Sequence, residues 1–174
     1  MIPSWIEEVF EKYLTANLTT FAGSQRQPVS FPLGVGYSRD EGEFWTTTGV
    51  YYQKKADNIR KNPRVSLLFS YPLGSGFPPD RTPVILVQGD ARVFSEDLEE
   101  NFKKLLEVAP LWIKKQPAFA RFFKSRIRRK LKEPYLLRLF IIIKPVYIRA
   151  WENGDLDSPP LVIDMSKRGK SDAP

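Results

Sequence analysis

The sequence predicts a β-rich α+β domain: an antiparallel sheet of about six strands closed into a small barrel, with helices at its periphery. Three observations carry this expectation. Segments of β-branched, aromatic and Gly-containing text, the texture of strands, fill much of the early and late parts of the chain. Helical periodicity is confined to stretches set between groups of strands and does not alternate with them one for one, as a parallel sheet would require. A composition of 42% hydrophobic and 27% charged residues over 174 positions suits one folded domain with a packed core, not a disordered or fibrous chain. We expect that domain over residues 1–165 and a flexible tail over 166–174, with no internal repeat or low-complexity segment.

The first element is a short amphipathic helix. Ser4 and Glu7 have the spacing of a capping box, and Ile6, Val9, Phe10 and Tyr13 follow at helical intervals. Residues 15–21 and 28–37 read as strands, and 38–42 as a turn before a strand over 43–48. Residues 55–62 allow two helical turns ending before Pro63, and the apolar run 65–71 suits a buried strand. The loop 71–83 holds Pro72, Gly74, Gly76, Pro78, Pro79 and Pro83, so no regular element crosses it. A strand over 84–94, with Gly89 as a bulge, leads to a helix begun near Asp97. Its stripe is Leu98, Phe102, Leu105, Leu106 and Ala109, and Pro110 and Pro117 are expected to end it and start another. In the second of these helices Phe119, Phe123, Ile127 and Leu131 recur every fourth residue. The chain returns to strands at 136–143 and 146–151, separated by Lys144-Pro145.

The sequence contains no Cys and no His. Disulfides, thiol nucleophiles, Ser-His-Asp triads, His-ligated haem and Cys/His zinc sites are thereby excluded, and a metal would need carboxylates alone. Met1 to Ser4 lead straight to the acidic pair Glu7 and Glu8, unlike a signal peptide, and no apolar run approaches the ~18 residues of a membrane span. A cytoplasmic protein with no membrane partner is expected. The net charge of +7 is compatible with a nucleic acid, an anionic surface or an anionic small ligand. Its cations concentrate at 54–64 and 121–132, so the distribution has to decide.

The segment Phe44-Trp45-Thr46-Thr47-Thr48-Gly49, then Gln53-Lys54-Lys55, then 58–69 with Asn62-Pro63 before an apolar strand, resembles the pyridoxamine 5′-phosphate oxidase-like family of flavin-binding split barrels. Residues 83–93 around Gly89-Asp90-Ala91, and 145–154 around Trp151, agree with that family in outline. The resemblance implies a Greek-key split barrel, a homodimer with cofactor at the subunit interface, and FMN as that cofactor. It places Trp45 and Thr46 where a strand meets the flavin and its phosphate arm, and Trp151 against the flavin of the partner subunit. Elementary chemistry gives the same segment a purpose. A phosphate monoester carries close to two negative charges and needs several donors together, which the hydroxyls of Thr46 and Thr47 with the ammonium groups of Lys54 and Lys55 supply. The bland alternatives are a solvated basic helix face for the lysines and ordinary core positions for Trp45 and Trp151.

The chain departs from the true oxidases in three places. Val50-Tyr51-Tyr52 enlarge the phosphate loop, residues 31–37 lack the Arg those enzymes carry there, and Glu152-Asn153-Gly154-Asp155 replaces their signature for pyridoxal phosphate. Vitamin B6 oxidation is therefore not expected. The leading expectation is an FMN-dependent oxidoreductase on an unspecified small molecule, the flavin supplying the reactive centre and the protein supplying binding and orientation. One alternative on the same fold is a reductase using a deazaflavin coenzyme, for which the enlarged loop leaves room. A second is a non-enzymatic module binding nucleic acid through the basic helix 119–132, whose four-residue apolar spacing instead favours a docked helix with a solvated outer face.

Overall fold

The structure, a computed structural model, describes residues 2–24, 26–78, 80–115 and 137–166. Helix α1 (Ser4–Lys12) buries Ile6, Val9 and Phe10 on one face, as their spacing requires. Its start differs from the expected capping box: Ser4 is already helical, Pro3 is the N-cap, and no side chain caps the turn. The carbonyl of Pro3 accepts the amides of Ile6 and Glu7, and the Glu7 carboxylate is drawn outward to Arg39, 3.5 Å away.

Strands β1 (Ala16–Ala22), β2 (Gln27–Leu33), β3 (Gly36–Ser38) and β4 (Glu43–Gly49) precede helix α2 (Lys54–Lys61) and strand β5 (Arg64–Phe69). Strand β6 (Val84–Val93), helix α3 (Leu98–Lys115), strand β7 (Arg138–Trp151) and strand β8 (Leu161–Asp164) complete the order. All pairings are antiparallel, in the order β2-β1-β5-β6-β7-β4-β3, with β8 added beside β7. The sheet has eight strands where about six were expected. One extra arises because residues 28–37 break at Gly34-Val35, where the Thr46 hydroxyl donates to the Gly34 carbonyl at 2.7 Å and holds the chain out of the ladder. The other is β8, the four-residue segment Leu161-Val162-Ile163-Asp164, too short an apolar run to stand out as a strand.

Strand β7 also runs unbroken through Lys144-Pro145. Proline lacks the amide a regular ladder needs, so it survives only where pairing is irregular. The register of β6 against β7 shifts between Gln88 and Gly89, with Gly89 opposite Pro145. A Cβ at Gly89 would lie 2.2 Å from the Lys144 carbonyl oxygen, so the expected bulge requires glycine for close backbone approach.

The main core draws Leu18 from β1, Phe44 from β4, Leu67 and Phe69 from β5, Ile85 and Val87 from β6, and Ile141, Ile143 and Ile148 from β7. Strands from both ends of the path meet in one cluster because the sheet curls around it. Helix α1 fills its centre, with the Phe10 ring 4.7 Å from that of Phe44, 5.1 Å from Tyr37 and 5.2 Å from Phe69. A second cluster lies on the other face, where Leu105 and Val108 of α3 pack on Trp45, Phe140 and Ile142. Asn101 docks that helix: its side-chain oxygen accepts the Phe140 amide at 2.7 Å and its nitrogen donates to the carbonyls of Ser95 and Asp97.

Helix α3 continues through Pro110 to Lys115 instead of stopping there. Pro110 and Leu106 are both exposed, so the carbonyl that the proline leaves without its amide partner faces the solvent side. Of the expected stripe Leu105 and Ala109 are buried while Leu98 and Leu106 are exposed, and Asn101 and Val108 complete the buried face. The expected helix 119–132 lies outside the described residues. Among those described, no helix is long and apolar enough to cross a membrane.

Candidate functional site

Strand β4 carries Phe44, Trp45, Thr46, Thr47 and Thr48, all buried. Alternation sends Phe44, Thr46 and Thr48 to one face and Trp45 and Thr47 to the other. The strand ends in a turn in which the Tyr52 amide donates to the Gly49 carbonyl at 2.9 Å and the Thr48 hydroxyl donates to the Tyr52 carbonyl at 2.7 Å. That turn leads directly into α2, which begins Lys54-Lys55. Two cations in a first helical turn oppose the helix dipole, so their position is not explained by helix stability.

A cavity of about 660 Å³ opens at this junction, lined by Thr46, Thr47, Thr48 and Gly49, by Pro32, Leu33 and Gly34, by Tyr51 and Tyr52, and by Lys55, Trp112 and Arg138. Among the described residues no carboxylate lines it. Lys55 lies over the Phe31 ring, 4.7 Å from its centroid. Burial first, and the neighbouring Arg138 charge second, hold its pKa below the ordinary lysine value. Burial likewise depresses Arg138. Two desolvated cations that repel each other and face no acid among the described residues make a site for an anion.

The hydroxyls divide into two kinds. Thr46 and Thr48 spend their protons on backbone carbonyls. Thr47 instead accepts from the Arg138 Nε at 2.6 Å, which leaves its own proton available to a ligand. Among the described cavity residues, Thr47, Lys55 and the rest of the Arg138 guanidinium are therefore the donors left for a ligand at the inner wall, beside the exposed Tyr51 and Tyr52 hydroxyls at its mouth. Helix α2 is held still behind them, since buried Asn58 donates to Thr20 at 2.9 Å and Arg60 forms a two-pronged bond to Glu96 at 2.9 and 2.7 Å.

Arg138 was not singled out in the sequence. Its only signal is a lone cation at the head of the apolar run Leu139-Phe140-Ile141-Ile142-Ile143. The β4–β7 register sets Arg138 opposite Gly49, and this brings a guanidinium to a cavity whose nearer strands, β2 and β3, carry none.

No family model matches the chain, and no curated protein matches it. Solved structures do. A conserved hypothetical protein of Mycobacterium tuberculosis aligns over 95% of this chain and 94% of its own at 20% identity and TM-score 0.61. A pyridoxamine 5′-phosphate oxidase candidate from Listeria innocua aligns over 88% of this chain and 96% of its own at 19% identity and TM-score 0.53. An F420 reductase aligns over 84% of this chain and 98% of its own at 17% identity and TM-score 0.55. The fold is a split barrel.

Within this split barrel the expected site residues do not all converge. Thr46, Thr47 and Lys55 line the cavity. Lys54, one residue earlier on the helix, points to solvent and does not line it. Trp45 faces α3: its indole lies against Gly36, where a Cβ would come within 2.0 Å of the ring, and 5.3 Å from the Trp112 ring. Trp45 and Trp112 instead share the wall of a second cavity of about 650 Å³. Trp151, at the end of β7, donates its indole N–H to the Ser158 carbonyl at 2.9 Å, bracing the turn after the strand. It lines neither cavity.

Proposed function

We propose that the chain is an FMN-dependent oxidoreductase that acts on a small molecule and works as a homodimer. The observation that carries the reading is the cavity at the β4–α2 junction, lined by no acid among the described residues, where Thr47, Lys55 and Arg138 present uncommitted donors around one space. That donor set suits a phosphate dianion, and the volume is within the ordinary range for small-ligand sites. The residues present thus fit the phosphate arm of FMN. The flavin, when bound, supplies two-electron chemistry, which is how a chain without His or Cys performs a redox reaction. The protein's own contribution is binding and orientation. Lys55 and Arg138 would neutralise the phosphate and Thr47 would donate to it while fixing the Arg138 fork, with Thr48 holding the turn after β4 and Thr46 holding the Gly34 break on the other side of the cavity. The likeness to a pyridoxamine 5′-phosphate oxidase candidate supports the choice of cofactor.

A second reading, a reductase using a deazaflavin coenzyme, is supported by the Tyr51 and Tyr52 wall that the enlarged loop adds and by the likeness to an F420 reductase. The experiment is a titration of FMN, riboflavin and the deazaflavin coenzyme into the purified protein, followed by absorbance and fluorescence. Tight FMN binding weakened ten- to hundredfold by Lys55→Ala or Arg138→Ala, with riboflavin unchanged, matches the loss of one charge-assisted bond worth about 1.5–3 kcal/mol. Equal losses for FMN and riboflavin would place the phosphate elsewhere, and preference for the deazaflavin would select the second reading. Lys54→Ala serves as a control, since Lys54 lies outside the cavity.

A further inference from the structure

The second cavity, about 650 Å³, shares Gly34 and Trp112 with the first but has a different chemistry. At its wall is Lys115, the last residue of α3, which reaches across the fold to two backbone carbonyls. Its Nζ donates to the Phe10 carbonyl at 2.9 Å and to the Val35 carbonyl at 2.7 Å. The first is among the carbonyls that the end of α1 leaves without a helical partner, and the second belongs to the break between β2 and β3. The nitrogen therefore has one bond to carbon and two directed at fixed oxygens. Among the described residues its fourth tetrahedral direction has no partner. In the neutral amine, which keeps two hydrogens, both are held by the two carbonyls, and the direction left over is the lone pair.

We propose that Lys115 is a nucleophilic amine and that the second cavity takes a carbonyl compound, an aldehyde or ketone, which condenses with it to an imine. The lone pair attacks the carbonyl carbon, and the π electrons of the C=O bond move to oxygen. One proton passes from nitrogen to oxygen to give the carbinolamine. The nitrogen lone pair then forms the C=N bond as the C–O bond breaks, and the departing hydroxide takes the second N–H proton to leave as water. No oxidant or reductant is consumed. The aromatic wall of Trp45, Trp112, Phe10 and Tyr37 suits a flat, apolar carbonyl compound. The proposal does not rest on the cofactor reading, although the two cavities share Gly34 and Trp112.

Electrostatics agrees with the geometry. Burial lowers the Lys115 pKa to about 8, with the Glu11 carboxylate opposing the shift. Roughly a tenth of such an amine is neutral at pH 7, against well under about a thousandth for an ordinary lysine. The other charged groups on this cavity are mostly committed to ion pairs: Lys12 holds Glu8 at 2.6 Å, and Arg39 holds Glu11 at 2.7 Å. Asp40 and Lys114 complete the charged lining.

The test uses the full chain with benzaldehyde, which carries neither charge nor phosphate, and borohydride to trap any imine, the adduct being mapped by mass spectrometry. The expected result is modification of Lys115 at least tenfold faster than of the exposed lysines Lys54, Lys61 and Lys103 at pH 7.5, with the rate rising through a midpoint near 8. Lys115→Arg, which keeps the charge and the carbonyl bonds, and Lys115→Met should both lose the fast adduct and keep FMN affinity. Labelling that follows exposure, with Lys115 slower than or equal to the surface lysines, overturns the proposal. So does a fast adduct that persists in a folded Lys115→Arg variant. Failure of FMN binding with a fast Lys115 adduct would count against the cofactor reading only.

Discussion

Single side chains here have measurable consequences because burial has removed water from them. Lys55 is the clearest case. Its ammonium is penalised by burial and by Arg138 before any ligand arrives, and an incoming phosphate dianion relieves both penalties. Anion binding must therefore raise its pKa, and FMN affinity should fall as pH rises through the depressed pKa of the free site. Titrations across the alkaline range should show that decline in the wild type and not in Lys55→Arg, whose guanidinium stays charged. Tyr13 shows the opposite sign. Its hydroxyl is buried, donates to the Pro83 carbonyl at 2.6 Å, and is pushed up to about 12 by desolvation. With the folded pKa raised above the unfolded value, the stabilisation is complete below about pH 10 and is lost as pH rises from there through 12. Thermal melts should show Tyr13→Phe less stable by about 1 kcal/mol at pH 8, with the difference shrinking by pH 11.

At the scale of elements, one glycine and one asparagine decide whether the site is assembled. A Cβ at Gly89 would meet backbone that cannot move aside, so Gly89→Ala should distort the β6–β7 ladder and destabilise by about 1–3 kcal/mol. Removing the buried Asn58 bond to Thr20 loosens α2 from β1, and Asn58→Ala should cost about 1–3 kcal/mol by leaving a buried partner unpaired. Asn58→Ala should also weaken FMN binding through Lys55, although Asn58 does not line the cavity; unchanged affinity in a folded variant would mean that α2 needs no such anchor. The same elements show what the sequence could disclose. Local pattern located α1, α2, β1, β4, β5, β6 and the bulge at Gly89, because periodicity, Asn62-Pro63 and glycine act over a few residues. It did not disclose the break at Gly34-Val35, the continuity of β7 through Pro145, or the passage of α3 through Pro110. Each of these depends on a distant partner: the Thr46 hydroxyl, the β6 register and the solvent side of a docked helix. Arg138 escaped for the same reason, since only the pairing of β7 with β4 brings it beside Thr47 and Lys55.

At the scale of the whole molecule, the proposed homodimer explains features that one chain leaves idle. Tyr51 and Tyr52, 73% and 77% exposed, stand at the mouth of the cofactor cavity, and Tyr147, Leu161 and Val162 are further exposed apolar side chains on β7 and β8. Trp151 lies at the end of β7 and lines neither cavity of its own chain. If one subunit supplies Lys55 and the other supplies Trp151 to each flavin, the two residues belong to different halves of every site. Light scattering should then give twice the 20.1 kDa chain mass. A sharper test mixes variants. Lys55→Ala and Trp151→Ala homodimers should each bind FMN poorly at both sites. In a heterodimer of the two, one site collects both defects and the other collects neither, so half of the wild-type binding capacity should return at wild-type affinity. If Lys55 and Trp151 served the same flavin from one chain, every site in the heterodimer would keep one defect and no binding would return. Recovery thus reads the shared site directly, and its absence in a folded, mixed dimer would remove Trp151 from the cofactor's surroundings.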